Sequence, residues 1–167
     1  MGELKTILWK KAISYEGYVS VQGIYRVARD WLKEHRFDPY EEKHTEQVFK
    51  DGKEIVIEMK GEKDLSDYAQ IKWKSKFTYG KLQEKTVEKD GKKIRMHEGK
   101  VKIVTDVFLA TDHQDSLENN AFMFFMRTVL DRFVFKSYIK KAEHRVRRDY
   151  LEYQNHLKSY LNMEDFS

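Results

Sequence analysis

Six histidines are the main side chains in this 167-residue chain that could bind a metal ion or transfer protons: His35, His44, His97, His113, His144 and His156. Their spacing matches no metal-ligand motif. His113 lies between Asp112 and Asp115 and could hold a hard cation with them, but such a loop more commonly turns the chain and caps the next helix. We therefore predict no metal site and no cofactor.

Covalent and acid–base catalysis lack a recognisable signature in this sequence. A nucleophile needs an adjacent base, and general acid–base chemistry needs titratable groups held together in a pocket. The chain has no Cys, which removes thiol nucleophiles. It also has no nucleophile elbow, phosphate-binding loop or dinucleotide fingerprint. We predict no catalytic residues, although scattered groups that converge in a cavity would leave no trace in the sequence.

The strongest local charge signal lies in one C-terminal segment, where a single acidic residue, Glu143, accompanies six cationic ones. These six are Lys136, Lys140, Lys141, Arg145, Arg147 and Arg148. On a helix they would cover about half of the circumference. Such a face favours phosphate contacts, as in an adaptor that binds RNA or a ribonucleoprotein. The competing interpretation is a solvated face with i,i+4 pairs to Asp149 and Glu152.

Three alternating lysines on a predicted strand, Lys72, Lys74 and Lys76, could extend this basic surface. A neighbouring predicted strand carries three glutamates: Glu54, Glu58 and Glu62. Because opposite charges on paired strands face one another, these glutamates would neutralise the lysines.

The basic segment belongs to a long predicted helix, since no Gly or Pro occurs from Asn119 to Leu161. Its apolar stripe changes sides along the way. The first set is Phe122, Met126, Val129, Leu130 and Phe133, and the second is Ile139, Ala142, Val146, Tyr150, Tyr153, Leu157 and Tyr160. The two sets point in nearly opposite directions, so we expect a kink or a new packing partner near residues 135–138. Part of the second set approximates a heptad seam that could form a homodimer.

A strand, a helix and an antiparallel meander are predicted before that helix. Leu4 to Tyr15 alternates like a strand, with Ile7 and Trp9 on its apolar side. Ser20 is a suitable N-cap for a helix that ends before Asp38-Pro39. Glycines separate the strands of the meander, and Asp51-Gly52 and Asp90-Gly91 predict tight hairpins. Its strands are expected at 41–49, 53–60, 67–79, 82–88, 92–97 and 100–111.

Composition indicates one globular domain over residues 1–167, because 40% of the residues are hydrophobic and 14% are aromatic. The formal net charge of +4 is a mild basicity that permits a nucleic-acid partner without identifying one. The lack of Cys is typical of a reducing compartment. No apolar run has the length of a signal peptide or membrane span, so we expect a soluble, cytoplasmic protein.

The order of strand, helix, antiparallel meander and long C-terminal helix resembles the helix-grip fold of the START-like and birch-pollen-allergen superfamily. The resemblance implies an α+β domain with a curved antiparallel sheet of six to seven strands and a C-terminal helix lying across it. Members commonly enclose a hydrophobic ligand, so it also implies a cavity. Two departures are the short Asp51-Gly52 hairpin, in place of a glycine-rich loop, and the unusually long last helix. Segments 23–31 and 130–133 resemble small archaeal proteins without assigned function.

A non-enzymatic ligand-binding domain is the function that these patterns favour. The hydrophobic or amphipathic ligand would occupy a cavity between the sheet and the C-terminal helix. The predicted lining is Trp73, Phe77, Tyr79, Val107, Phe122, Met126 and Phe133. The alternatives are the basic RNA-binding adaptor and a homodimeric interaction protein.

Overall fold

The computed structural model describes residues 3–67, 69–111 and 135–164. Within these ranges the chain is an α+β protein with one open antiparallel sheet of five strands and two helices. The elements in chain order are β1 (Glu3–Val19), α1 (Val21–Glu34), β2 (Asp38–Phe49), β3 (Gly52–Asp64), β4 (Ala69–Lys89), β5 (Lys92–Thr111) and α2 (Phe135–Glu164). Neither described helix combines the length and apolar character that crossing a bilayer requires.

The strands lie in the order β1-β5-β4-β3-β2, and every neighbouring pair is antiparallel. Strands β2 to β5 form the predicted meander, and α1 carries the chain from β1 at one edge to β2 at the other. Both predicted hairpins are confirmed. At the second, Asp90 and Gly91 have φ of +53° and +75°, the two positive values that a type I′ turn requires.

The prediction of six to seven strands is wrong for the described chain, because Gly80 and Gly99 do not form turns. Strands β4 and β5 continue past both glycines and stay paired as far as Lys89 and Lys92. The two glycines instead mark a β-bulge. Between the pairs Gly80–Lys100 and Gln83–Glu98, β4 has one residue more than β5, and Lys81 takes a φ of +53°.

Close backbone approach explains the glycine at position 99. A Cβ atom there would lie 2.8 Å from the carbonyl oxygen of Gly80 and 3.1 Å from the Cα atom of Leu82. Both are backbone atoms, so neither can move aside without distorting the sheet. At Gly80, by contrast, an added Cβ atom would meet nothing within 4 Å.

Strand β1 departs from the predicted alternation near its start. Its pairing with β5 shifts twice between Thr6 and Lys11, and Lys10 adopts a φ of +47° while its N–H donates to Asp106 Oδ1 at 2.6 Å. As a result Ile7 and Leu8 are both buried, whereas Trp9 is 58% exposed. The expectation that Trp9 shares the apolar side with Ile7 is therefore wrong, because bulges reset which face each residue occupies.

Helix α1 begins and ends with well-formed caps. As predicted, Ser20 is the N-cap, and its Oγ accepts a hydrogen bond from the N–H of Gly23 at 3.1 Å. At the other end the N–H of Phe37 donates to the carbonyl of Leu32, and Arg36 has a φ of +65°. This is a Schellman arrangement, which reverses the chain into β2. The helix buries four residues: Ile24, Ala28, Trp31 and Leu32.

Helix α2 lies on the same face of the sheet as α1, which we call the helix face. The second half of the predicted apolar stripe is confirmed, since Ala142, Val146, Tyr150, Tyr153 and Leu157 are all buried. The first half of that stripe, its change of direction and the loop around His113 lie outside the described residues. The helix-face side chains of β4 and β5 complete the core: Ile71, Trp73, Phe77, Tyr79, Val101, Ile103, Val107 and Leu109.

The bulge predicts an asymmetric response to two matched substitutions. Gly99→Ala should lower the free energy of unfolding by about 1–3 kcal/mol, because the new methyl group meets backbone atoms. Gly80→Ala should stay within about 0.5 kcal/mol of wild type, because its Cβ atom enters open space. Urea denaturation of the three proteins measures both values. Equal destabilisation by the two alanines would contradict the assigned close approach.

Candidate functional site

The described part of the predicted cavity lies in the centre of the helix face. Trp73, Phe77, Tyr79 and Val107 are all at most 1% exposed. The remaining predicted lining residues, Phe122, Met126 and Phe133, lie outside the described residues. The predicted cavity at this place therefore stays a prediction.

Around Trp73 the space is occupied by other rings. Its centroid lies 5.2 Å from those of Trp31 and Tyr153 and 5.5 Å from that of Phe37. Tyr150 is farther, at 6.4 Å. The edge-to-face and tilted geometries are those of a packed aromatic core. Trp73 itself therefore contributes to packing between the sheet and both helices.

Three hydroxyl groups meet inside this core. Ser75 Oγ lies 2.8 Å from the Tyr153 hydroxyl and 3.1 Å from Thr105 Oγ1. Burial raises the pKa of Tyr153 far above its ordinary value, although the hydrogen bonds with Ser75 and Thr105 partly offset this effect. The phenol therefore stays protonated at physiological pH. Since no described base contacts these hydroxyls, the cluster is suited to joining α2 to the sheet rather than to nucleophilic attack.

The Tyr79 hydroxyl is a buried polar group without a hydrogen-bond partner among the described residues. Burial is also the main reason why its pKa is raised, with smaller contributions from Tyr153 and Tyr160. A buried hydroxyl that makes no hydrogen bond costs about 1–3 kcal/mol. Among the described residues of the predicted cavity, the indole Nε1 of Trp73 is likewise buried without a hydrogen-bond partner.

A cleft of about 590 Å³ lies at the beginning of α1. One wall is formed by the residues that lead into that helix, Val19 to Gln22, and another by β2 and β3. The third wall is the part of the β4–β5 hairpin beyond the bulge, residues 83–89 and 92–97, which we call the arm. The lining side chains include His44, Glu46, Lys53, Ile55, Lys89, Ile94, Arg95, Met96 and His97.

The cleft is apolar at its base and basic at its rim. Val19 and Ile55 are buried at the base, whereas Ile94 on the arm is 41% exposed. The lining includes three cationic side chains, Lys53, Lys89 and Arg95, against one carboxylate, Glu46. In addition, the first N–H groups of α1 have no partner inside the helix and favour negative charge.

Two ion pairs moderate the charge at this rim. Lys53 Nζ lies 2.6 Å from Glu46 Oε1, and this hydrogen bond, reinforced by the ammonium charge, lowers the pKa of Glu46. Arg95 Nη1 lies 3.5 Å from Glu84 Oε1, but both side chains are strongly exposed, so this pair is weak. The rim retains an excess of positive charge.

The six cationic residues of the predicted nucleic-acid surface are all exposed on α2, and two of them, Arg145 and Arg148, border a recess between α2 and the end of α1. Arg147 also donates to the carbonyl of Ile7 at 3.4 Å, which ties this face to β1. The proposed heptad seam, in contrast, faces the core, since Ala142, Val146 and Tyr153 are buried. A homodimer through α2 would therefore have to use its outer face, where Leu151 is 58% exposed.

The lysines of β4 do not extend the basic surface as free charges. Lys72 Nζ lies 3.8 Å from Glu62 Oε1, and Lys74 Nζ lies 3.9 Å from Glu58 Oε2. Lys76 pairs in register with Glu58. The predicted neutralisation across the ladder is therefore confirmed for Lys72 and Lys74.

Comparison with known proteins adds no family to this geometry: no protein-family model matches the chain, and no curated protein sequence is significantly similar to it.

The cleft was not predicted from the sequence, because pairing between distant strands assembles it. Val19 lies beside His97 in the register of β1 and β5, and Lys53 lies beside Leu82 in that of β3 and β4. The only sequence signal near it is Ser20 as an N-cap, which places the start of a helix there. Nothing in the spacing of His44, Arg95 and His97 indicates that they share one cavity.

The hydroxyl cluster predicts a measurable coupling. Tyr153→Phe should lower the free energy of unfolding by about 1–2 kcal/mol, because Ser75 loses a buried partner. In the double variant Ser75→Ala/Tyr153→Phe, the loss of unfolding free energy should be smaller than the sum of the losses in the two single variants, since both substitutions remove the same interaction. Urea denaturation of the four proteins in the cycle tests this. Strict additivity would show that the two hydroxyls are not coupled.

Proposed function

We propose that the protein binds an amphipathic molecule with an acidic group in the cleft at the beginning of α1. The observation that carries this proposal is the division of a 590 Å³ cleft into an apolar base and a basic rim. Ligand pockets of roughly 300–1,000 Å³ are typical for small molecules. An acyl chain that ends in a carboxylate matches this cleft, because its hydrocarbon part suits the apolar base and its acidic group suits the basic rim.

The placement of the ligand follows from this polarity. Its apolar part would pack on Val19, Ile55 and Met96, where burial of a hydrocarbon removes apolar surface from water. Its acidic group would lie near Arg95 and Lys89. The start of α1 adds positive electrostatic potential on the same side.

The resemblance to helix-grip proteins supports a ligand-binding role but directs attention to a different part of the fold. It implies a cavity between the sheet and the last helix, next to Trp73. The cleft lies instead at the opposite end of α1 from His35, under the arm. Tyr79 does not line the cleft, although it pairs in register with Ile55 at the base.

Dodecanoate is a suitable probe, because it joins a flexible acyl chain to one carboxylate. We expect saturable binding of dodecanoate in isothermal titration calorimetry and weaker binding of dodecyltrimethylammonium, which reverses the charge. Arg95→Glu should weaken dodecanoate binding by about tenfold, since it replaces attraction by repulsion at the rim. Ile94→Asp should weaken dodecanoate binding to a similar degree, because it places a charged group against the hydrocarbon part of the ligand.

Lys11→Glu is the matched control for the charge change, because Lys11 is exposed on β1 and does not line the cleft. It should leave dodecanoate affinity unchanged. Saturable binding that is equal in wild type, Arg95→Glu and Ile94→Asp would place the ligand elsewhere. The absence of binding to the wild-type protein would overturn the proposal of an acyl ligand.

RNA binding through α2 is the second candidate function, and the exposure of all six cationic side chains favours it. Within the described chain, Glu143 on the same helix is engaged by Lys5 at 2.5 Å. No described carboxylate lies within ion-pair distance of Arg145 or Arg148. These guanidinium groups are therefore available to phosphate oxygens.

Filter binding of a single-stranded RNA across a salt series tests this second function. If α2 contacts phosphates, replacing Arg145, Arg147 and Arg148 by Ala should reduce the slope of log affinity against log salt by about 2 to 3. The control replaces Lys72, Lys74 and Lys76 by Ala and should change the slope less, because two of these lysines already pair with glutamates. An identical slope for wild type and the arginine variant would exclude this surface.

A further inference from the structure

A histidine and two carboxylates converge where the end of α1 meets α2, at the other end of α1 from the cleft. They are His35, the C-cap residue of α1, and Asp149 and Glu152, one turn apart on α2. One ligand atom from each residue lies within 4.8 Å of the other two. A recess of about 340 Å³ opens beside them.

The hydrogen bonding of His35 determines which nitrogen faces the carboxylates. Its Nδ1 lies 2.9 Å from the carbonyl oxygen of Trp31. A carbonyl only accepts hydrogen bonds, so Nδ1 must carry a hydrogen. In the neutral ring Nε2 then presents a lone pair, and it lies 3.4 Å from Glu152 Oε2, which also only accepts. A proton or a metal ion is needed between these two atoms.

This arrangement matches the way proteins hold metal-bound histidines. A ligating imidazole usually donates its other N–H to a backbone carbonyl or a carboxylate, which fixes the ring orientation. The ring of His35 is held further by stacking on Trp31, with centroids 3.9 Å apart and planes inclined by 20°. The imidazole therefore needs little reorganisation to bind an ion through Nε2.

Asp149 supplies the second, independent observation. It is only 9% exposed, which is unusual for a carboxylate. No described residue donates a hydrogen bond to its carboxylate or forms an ion pair with it, so the i,i+4 pair with Arg145 expected from the sequence does not form. Taking a carboxylate out of water is costly, its described charge neighbour Lys63 attracts it without forming an ion pair, and one of its oxygens lies in the cluster. A bound cation would remove that cost.

We propose that His35, Asp149 and Glu152 bind a divalent transition metal ion, with Zn²⁺ as the best match. Histidine nitrogen and carboxylate oxygen are both zinc ligands, at about 2.0–2.2 Å from the ion. Side-chain rotations would bring the His35 nitrogen and one oxygen each of Asp149 and Glu152 to these distances from a shared ion. Imidazole disfavours Mg²⁺ and Ca²⁺, which prefer oxygen-only ligand sets.

The surroundings of the cluster identify what would occupy the fourth coordination position. Four cationic side chains border the recess: Arg36, Lys63, Arg145 and Arg148. Burial, followed by the charge of Arg145, lowers the pKa of Lys63, so positive charge is already crowded here. An anionic group such as a carboxylate or phosphate therefore fits the open position better than a neutral one.

Calorimetric titration of chelator-treated, full-length protein with Zn²⁺ tests the site. Wild type should bind one ion per chain. Glu152→Gln and His35→Ala should each weaken binding by about tenfold or more, because each removes a ligand. Glu152 is half exposed, so its substitution should leave the fold intact, as urea denaturation of the apoprotein would show. Co²⁺ should give a visible absorption band in wild type that is lost in both variants.

His144→Ala is the matched control, since His144 is exposed on the same helix away from the cluster. It should retain wild-type Zn²⁺ affinity. Equal affinity of wild type, Glu152→Gln and His35→Ala would show that zinc binds elsewhere. No binding to wild type up to roughly 1 mM Zn²⁺ would mean that a proton, not a metal ion, joins His35 to Glu152. Either result overturns the proposal.

Discussion

Trp31, Trp73 and Tyr153 form a triangle of aromatic rings on which the arrangement of the described chain depends. They come from α1, β4 and α2, and their centroids are 5.0 to 5.2 Å apart. All three are at most 2% exposed, so each helix is held against the sheet and against the other helix at one place. Because a close-packed interior leaves little freedom for its side chains, this triangle sets where α1 lies on the sheet.

Both candidate sites follow from the position of α1. At its beginning, the helix and the arm form two walls of the cleft. Because Val19 pairs with His97 in the sheet, this pairing sets the distance between the start of α1 and the arm. At its end, the Schellman turn places His35 against α2, with its ring stacked on the same Trp31. The cleft therefore lies at one end of α1, and the cluster of one histidine and two carboxylates lies at the other end.

Much of the fold was predictable because local physics determines it. Ser20 caps a helix, Asp90-Gly91 accepts two positive φ values, and the stripe from Ala142 to Leu157 has helical period. The strand count was not predictable in the same way, since Gly80 and Gly99 carry the residue type of a turn but form a bulge. Only the partner strand reveals that Gly99 is needed for close approach to Gly80.

The sequence by itself determined an α+β chain, its first helix, its two tight hairpins and the basic outer face of its last helix, because each depends on neighbours within about one turn or one hairpin. Only the tertiary structure decided which distant side chains meet. Residues 35 and 152 lie more than a hundred positions apart, yet their side chains are 3.4 Å apart at Nε2 and Oε2. Sites of this kind depend on strand register and helix packing, which no local pattern records.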